Sequence, residues 1–156
     1  MIAVCEIHNF GDASERAYGT VAYLRFVNSE SRVHCSLLLG KSRVAPLKST
    51  TIPRRELTTA TMAVKLSTMF ETCLDISVDQ IYYWSDSMCV LGHISNEQTR
   101  FKTFVENCLK LIREWSNVAQ WDYVSNKDNP ADVASRGLDI QDPVQLYQWF
   151  RGPEFL

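Results

Sequence analysis

Several features that define other protein classes are missing from this chain of 156 residues. No apolar stretch approaches the roughly 20 residues of a membrane-spanning helix, and the first ten residues lack the basic start and long apolar run of a secretory signal. The chain also contains no internal repeat and no low-complexity tract. We therefore expect one soluble, intracellular globular domain with no membrane partner.

Neither a disulfide framework nor a zinc site is indicated. The five cysteines are odd in number and widely spaced, no two have Cys-x-x-Cys spacing, and none has a histidine at ligand spacing. Most of them have apolar neighbours, so we interpret them as buried small hydrophobic residues in a reducing compartment. The three histidines, His8, His34 and His93, are interpreted as structural.

A large excess of positive charge is missing as well. The formal net charge is −2, which excludes a protein that coats nucleic acid nonspecifically, because such binding needs many phosphates neutralised by Lys and Arg. Positive charge is nevertheless concentrated between Glu30 and Glu56, where no acidic residue occurs and the basic residues are Arg32, Lys41, Arg43, Lys48, Arg54 and Arg55. This basic stretch predicts either a rim that contacts a polyanion or a solvated edge strand.

The pattern of apolar residues predicts an α/β fold. Three consecutive strands are expected at 2–10, 20–27 and 33–44, with a turn at Gly11 and Asp12. A long helix at 54–73, a strand at 81–84, a short helix through Ile94, an amphipathic helix at 101–115 and a strand at 121–124 follow. Asn129 and Pro130 are expected to begin a last helix, as its N-cap and its first residue.

This order of elements predicts a mixed five-stranded sheet, antiparallel over its first three strands and flanked by helices. We expect one domain at 1–137. Residues 138–156, which include Pro143 and a Gly-Pro pair, are interpreted as a C-terminal tail or linker.

Four acidic residues occupy strand ends or helix starts in this scheme. Asp12 follows the first strand, Glu56 lies in the first turn of the long helix, Asp86 follows the fourth strand, and Asp132 lies in the first turn of the last helix. Each has an ordinary structural interpretation, as a turn residue, a helix cap or a partner of a helix dipole. Their joint placement at one edge of the sheet favours a cage for hard divalent cations.

Four sequence motifs in the same order resemble those of the ribonuclease H region of BEL/Pao-type LTR retrotransposon polyproteins. They are FGDASERAYG at 10–19, IPRREL at 52–57, WSDSMCVL at 84–91 and KDNPADVASRG at 127–137. The closing WFRGPEFL at 149–156 is similar to the link that precedes the integrase in such polyproteins. The resemblance covers nearly the whole chain and implies that the mixed five-stranded sheet and its flanking helices have the ribonuclease H-like fold.

The resemblance implies an endonuclease that hydrolyses the RNA strand of RNA/DNA hybrids with two Mg²⁺ ions, or Mn²⁺ as a substitute. Asp12 would bridge both ions, Glu56 and Asp86 would hold the ion beside the leaving 3′ oxygen, and Asp132 would hold the ion that activates water. Its partners would be the hybrid and the reverse transcriptase and integrase regions of the same polyprotein, in a cytoplasmic retroelement particle.

Two positions depart from the family pattern. The loop before Asp132 lacks the histidine that many ribonucleases H have there, and Lys127 is the candidate substitute. Arg55 stands where an apolar residue is expected. It faces the substrate, or it reflects relaxed selection in an inactive copy.

Short polar side chains beside the acids are candidates for reading the minor groove of a hybrid. The full set of expected substrate-binding residues is Ser14, Lys48, Arg54, Arg55, Ser85, Ser87, Lys127 and Asn129. Each of the serines fits a cap or a turn equally well.

Three other functions stay open. An inactive scaffold of the same fold would bind nucleic acid without cutting it, and an integrase or transposase core would have no counterpart of Glu56. An aspartic-type peptidase is indicated only by the loose similarity of Asp-Ala-Ser at 12–14 to an Asp-Thr/Ser-Gly motif, and its carboxylate dyad would need a second copy.

Overall fold

A computed structural model describes residues 1–48 and 50–156. The strands are β1 (Ile2–Ala13), β2 (Ala17–Asn28), β3 (Val33–Val44), β4 (Gln80–Ser85) and β5 (Trp121–Tyr123). The helices are α1 (Ile52–Cys73), α2 (Met88–Ser95), α3 (Thr103–Trp115), α4 (Ala131–Arg136) and α5 (Pro143–Arg151). None of the helices in the described residues has the length and apolar character needed to cross a lipid bilayer.

The strands form one five-stranded sheet in the order β3-β2-β1-β4-β5. Strands β1, β2 and β3 are antiparallel neighbours, while β4 runs parallel to β1 and β5 runs parallel to β4. The predicted mixed sheet with an antiparallel first half is thus confirmed. Strand β1 lies at the centre, and β3 is an edge strand, so Lys41 and Arg43 of the basic stretch lie on that edge.

Helix α1 covers one face of the sheet because its apolar and small residues share one side. Leu66 and Phe70 pack with Ile7 of β1, and Leu57 and Val64 join α2 and α3 in a larger buried cluster. Gly11 of β1 lies directly beneath the helix: a methyl group on it would come within 2.7 Å of the Thr59 Cγ2 atom. This close approach fixes the first turns of α1 against the end of β1.

The opposite face is covered by α4, α5 and the C-terminal residues. Gly19 of β2 would place a Cβ 2.8 Å from the Ala134 Cβ, so α4 lies as close to the sheet as α1 does on the other side. Trp149 packs on Gly40 of β3, and its carbonyl accepts a hydrogen bond from the Tyr23 hydroxyl at 2.7 Å. The aromatic ring of Phe155 lies 5.1 Å from that of Trp84.

Local structure differs from the sequence predictions at several element boundaries and at two cysteines. The predicted turn at Gly11 and Asp12 is wrong, since β1 continues through Asp12 and the chain reverses after Ser14, whose backbone N–H donates to the Ala17 carbonyl. Helix α4 begins at Ala131, one residue later than expected. Cysteines 73 and 89 are exposed rather than buried, because they lie on the outer sides of α1 and α2.

The division between residues 1–137 and 138–156 stays a prediction. The C-terminal part contains α5, which Asp142 caps by accepting hydrogen bonds from the backbone N–H groups of Val144 and Gln145. Its contacts with β2 and β3 show that the segment packs on the sheet.

Candidate active site

Asp12 lies near the end of the central strand and is almost fully buried, with 7% of its surface exposed. The Ser135 hydroxyl of α4 donates a hydrogen bond to its Oδ2 atom at 2.5 Å. Ser135 reaches this carboxylate because Gly19 and Ala134 allow α4 to approach β2 so closely. The carboxylate is therefore fixed by a group on the neighbouring helix.

Glu56 reaches the same region from the first turns of α1. Gly11 and Thr59 set the spacing between that helix and β1, and the Ser87 hydroxyl donates a hydrogen bond to Glu56 Oε2 at 2.6 Å. Ser87 also accepts a hydrogen bond from the Val90 backbone N–H, so it is the N-cap of α2. One serine thus caps a helix and orients a carboxylate.

Asp86 directly follows β4, whose last residue, Ser85, pairs with Gly11 of β1. Because these strands are parallel and in this register, the residues that follow the Gly11–Ser85 pair, Asp12 and Asp86, lie side by side. Capping of α2 belongs to Ser87 and not to Asp86. The structural interpretation of Asp86 as a helix cap is therefore excluded.

Asp12, Glu56 and Asp86 line one small pocket together with Gly11, Ala60, Ala63, Tyr83 and Ser85. None of the described residues that line it is Lys or Arg. Ala60 and Ala63 of α1 line the pocket with short side chains. Three of the four predicted acids are thus brought together without a compensating cation in the pocket.

The electrostatics of the pocket follow from burial and mutual repulsion. Burial, together with the charges of Asp86 and Asp132, raises the pKa of Asp12 to about 6, although the Ser135 hydrogen bond opposes the shift. Burial and the charge of Asp12 raise the pKa of Glu56, against the effect of the Ser87 hydroxyl. Burial and the charge of Glu56 raise the pKa of Asp86, while hydrogen bonding to Asn129 and Asp12 opposes this.

Asp132, the fourth predicted acid, is placed differently. It lies on α4, its charge contributes to the raised pKa of Asp12, and it does not line the pocket. Its Oδ1 atom accepts from the Arg136 guanidinium at 2.7 Å, an exposed pair one helical turn apart. Asp132 therefore lies at the rim and already has a cationic partner.

The donor set fits hard divalent cations. Three carboxylates in a pocket without Lys or Arg favour an ion with oxygen ligands, because bound positive charge would relieve both the burial cost and the repulsion. Across residues 1–48 and 50–156, however, no three His, Cys, Asp or Glu side chains are arranged to hold a metal ion as they stand. The three carboxylates are thus chemically suited to a divalent cation, but they are not arranged around one ion position.

The serines and the asparagine expected to contact substrate all make hydrogen bonds within the protein. The Ser14 hydroxyl donates to the Ala17 carbonyl in the hairpin turn, and Ser85 Oγ accepts from the Ser87 backbone N–H. Buried Asn129 donates to the Gly11 carbonyl at 2.9 Å and accepts from the Ala131 backbone N–H. These contacts assign each of them a structural task beside the pocket.

The basic candidates separate into two kinds. Lys48, Arg54 and Lys127 are exposed, with Arg54 lying over the Phe104 ring at 4.8 Å. The Arg55 guanidinium instead donates four hydrogen bonds to protein oxygens. Lys127 is part of a short 3-10 turn in the loop that lacks the histidine.

Ser135 is the site residue that sequence reasoning missed. Its position three residues after Asp132 places it on the adjoining side of α4, but a serine in a short helix has no pattern of its own. The one sequence signal for this contact is the small residue Gly19, which permits the close approach of α4 to β2. That pairing of two distant segments is visible only in the fold.

Solved structures with a similar fold are ribonucleases H. The N-terminal ribonuclease H domain of a Mycobacterium tuberculosis protein has a TM-score of 0.55 and 9% identity, covering 84% of this chain and 91% of that chain. Ribonuclease H1 from Halobacterium salinarum NRC-1 has a TM-score of 0.50 and 12% identity, covering 83% and 91%. LC11-RNase H1 in complex with an RNA/DNA hybrid has a TM-score of 0.51 and 13% identity, covering 82% and 91%.

At these identities the likeness establishes the fold alone. No curated protein sequence matches the chain. A family model does match residues 2–87, a range that includes Asp12, Glu56 and Asp86 and ends before Asp132. Since that range is more than half of the sequence, the chain belongs to the family described as the Pao retrotransposon-like RNaseH-like domain.

Proposed function

We propose that this domain hydrolyses the RNA strand of RNA/DNA hybrids as a two-metal-ion endonuclease during reverse transcription of a retroelement. The observation that carries the proposal is the convergence of Asp12, Glu56 and Asp86 in one pocket without a basic side chain. A protein has little use for one buried and two half-buried carboxylates that repel each other unless a cation joins them. Membership of the Pao family supports the retroelement context.

Asp12, Glu56 and Asp86 would hold the divalent ions, and Asp132 would complete the set. Bound Mg²⁺ or Mn²⁺ supplies a water of lowered pKa and stabilises charge on the attacking and leaving oxygens of a phosphodiester. For Asp132 to act as a metal ligand, its carboxylate has to release the Arg136 guanidinium and bind an ion instead. The exposure of that pair makes the exchange inexpensive.

The residues around the carboxylates orient them for this task. Ser135 donates to one oxygen of Asp12 and Ser87 donates to one oxygen of Glu56, and the other oxygen of each carboxylate would ligate an ion. Asn129 ties the start of α4 to the Gly11 carbonyl beside Asp12. Such supporting hydrogen bonds fix ligand orientation in metal sites.

The hybrid is proposed as the substrate because a protein of similar fold, LC11-RNase H1, is found in complex with one. The exposed basic residues Lys48, Arg54 and Lys127 are proposed to contact its phosphates. The reverse transcriptase and integrase regions of a polyprotein are proposed partners. The proposed location is a cytoplasmic retroelement particle.

A second candidate is a scaffold of the same fold that binds nucleic acid without cutting it. Two observations favour it. Within the described part of the chain no three potential ligands are arranged around one ion position, and Asp132 is paired with Arg136. Activity separates the two candidates.

The test is incubation of the purified domain with end-labelled RNA/DNA hybrid, RNA duplex and DNA duplex, each with Mg²⁺, Mn²⁺ or EDTA. We expect cleavage of the RNA strand of the hybrid alone, dependent on either metal, leaving 5′-phosphate and 3′-hydroxyl ends. Products with 2′,3′-cyclic phosphates would exclude the metal-dependent mechanism. Binding of the hybrid without cleavage under every condition would establish the scaffold instead.

A further inference from the structure

Arg55 makes an unusually complete set of hydrogen bonds for a side chain beside a predicted nucleic-acid site. Its Nη1 atom donates to the carbonyls of Ser14 and Glu15, both at 2.7 Å. Its Nη2 atom donates to the Thr50 carbonyl at 2.8 Å, and its Nε atom donates to the Thr50 hydroxyl at 2.9 Å. Since a guanidinium has five N–H donors, four of them are used within the protein.

This saturation argues against a phosphate contact. Arginine binds phosphate strongly through two parallel N–H donors, and Arg55 has only one donor left. It belongs to no ion pair among residues 1–48 and 50–156. Its charge is therefore balanced by backbone carbonyl dipoles. The planar guanidinium connects separate segments of the backbone through these hydrogen bonds.

The segments that it joins carry two of the pocket carboxylates. Ser14 and Glu15 form the hairpin turn that begins two residues after Asp12. Arg55 itself precedes Glu56 on α1, and Thr50 lies just before that helix. The guanidinium thus ties the turn after Asp12 to the start of the helix that bears Glu56.

We propose that Arg55 is a positioning residue that fixes Asp12 and Glu56 relative to each other and thereby sets the affinity of the pocket for divalent ions, without contacting the hybrid. This inference rests on the proposed function, because it takes the pocket to be a metal site. It also explains why an arginine replaces the expected apolar residue at this position of the IPRREL segment: the fork adds a connection that an apolar side chain lacks.

The experiment compares the wild type with Arg55→Leu and Arg55→Lys. Arg113→Lys is the matched control, because that guanidinium also donates to backbone carbonyls, of His93 and Asn96. These carbonyls lie at the C-terminal end of α2, whereas Asp86 lies just before its N-terminal end. The readouts are the dissociation constant for Mg²⁺ by calorimetry, the melting temperature in EDTA, and KM and kcat for hybrid cleavage.

Arg55→Leu should weaken Mg²⁺ binding by about tenfold or more, the usual effect of removing a group that orients metal ligands. Arg55→Lys should recover part of this loss, because an ammonium group can reach some of the same oxygens. KM for the hybrid should change little in both. Arg113→Lys should lower the melting temperature without altering the Mg²⁺ dissociation constant.

Two results for the variants would overturn the inference. A raised KM with unchanged Mg²⁺ affinity would make Arg55 a substrate-binding residue, and a lowered melting temperature with both constants unchanged would leave it a stabilising residue only. A wild type that binds Mg²⁺ but does not cleave the hybrid would refute the proposed function while the calorimetry still decides the role of Arg55. A wild type that does not bind Mg²⁺ would overturn both.

Discussion

Replacing Asp12 by Asn should stabilise the domain in EDTA at pH 8 and leave its stability nearly unchanged at pH 4. Asp12 is 7% exposed, and burial and neighbouring carboxylates raise its pKa from 3.8 to about 6. A raised pKa in the folded state means that the protonated carboxyl is favoured there. Its contribution to stability is therefore fully present below the ordinary pKa and is lost as the pH rises through about 6.

The size of this loss follows from the pKa difference. Each factor of ten in proton binding corresponds to about 1.36 kcal/mol, so the shift of Asp12 corresponds to about 3 kcal/mol at pH 8. Asn resembles the protonated acid and still offers an oxygen to the Ser135 hydroxyl. At pH 8 in EDTA the variant should therefore melt roughly 6 to 12 °C above the wild type.

Urea or thermal unfolding at pH 4 and pH 8, both in EDTA, measures the effect. Exposed Asp75, which lies just after α1, provides the control, and Asp75→Asn should change stability at neither pH. The reasoning would be refuted if Asp12→Asn showed no gain at pH 8, or an equal gain at both values of pH.

Two further predictions concern packing and charge. Gly11→Ala should cost about 1 to 3 kcal/mol of unfolding free energy, because the new methyl group meets Thr59 Cγ2 at 2.7 Å. Adding Thr59→Ser should recover much of this loss by removing that carbon. Equal urea denaturation midpoints for the single and double variants would contradict this. Lys48→Ala with Arg54→Ala should flatten the salt dependence of hybrid binding by up to about two phosphate contacts. An unchanged slope in filter-binding titrations would place the contact surface elsewhere.

The positions of the pocket carboxylates were predictable because they depend on element boundaries. Asp86 follows a short apolar strand and Glu56 follows a proline at a helix start, and both signals are local in the sequence. The parallel pairing of β4 with β1 then brings Asp86 beside Asp12. The local sequence pattern and one topological rule were sufficient to predict that three of the four acids lie close together. Their role as metal ligands stays a prediction.

The contacts of Arg55 and Ser135 were not predictable. Arg55 donates to backbone carbonyls of a turn some 40 positions earlier in the chain. Because every residue has a backbone carbonyl, the sequence does not show which of them accepts a hydrogen bond. Ser135 meets Asp12 across 123 positions. Both contacts depend on how closely two elements approach each other, and the periodicity of apolar residues in the sequence does not determine this distance.

The C-terminal residues illustrate the same limit. Pro143 and the Gly152-Pro153 pair favoured a tail or linker at 138–156, and that division of the chain stays a prediction. Helix α5 nevertheless packs on the sheet, because Gly40 leaves room for the Trp149 ring and the Tyr23 hydroxyl meets the Trp149 carbonyl. Complementarity of this kind between a glycine and a tryptophan 109 positions later appears only when both are in place.

The most direct test of the central claim is cleavage of labelled hybrid in Mg²⁺ by the wild type, Asp86→Asn and Asp142→Asn, with melting of each protein in EDTA and in Mg²⁺. Asp142 is a helix-capping aspartate, so it controls for the change from Asp to Asn. We expect the wild type and Asp142→Asn to cleave. Mg²⁺ should stabilise both by about 2.7 kcal/mol at a hundredfold excess over its dissociation constant.

Asp86→Asn should lose cleavage and respond less to Mg²⁺. It should also melt above the wild type in EDTA, because burial and the charge of Glu56, which raise the pKa of Asp86, no longer act on an ionised side chain at this position. An Asp86→Asn protein that melts no higher than the wild type in EDTA, responds equally to Mg²⁺ and still cleaves the hybrid would contradict the assignment of Asp86 and, with it, the metal site.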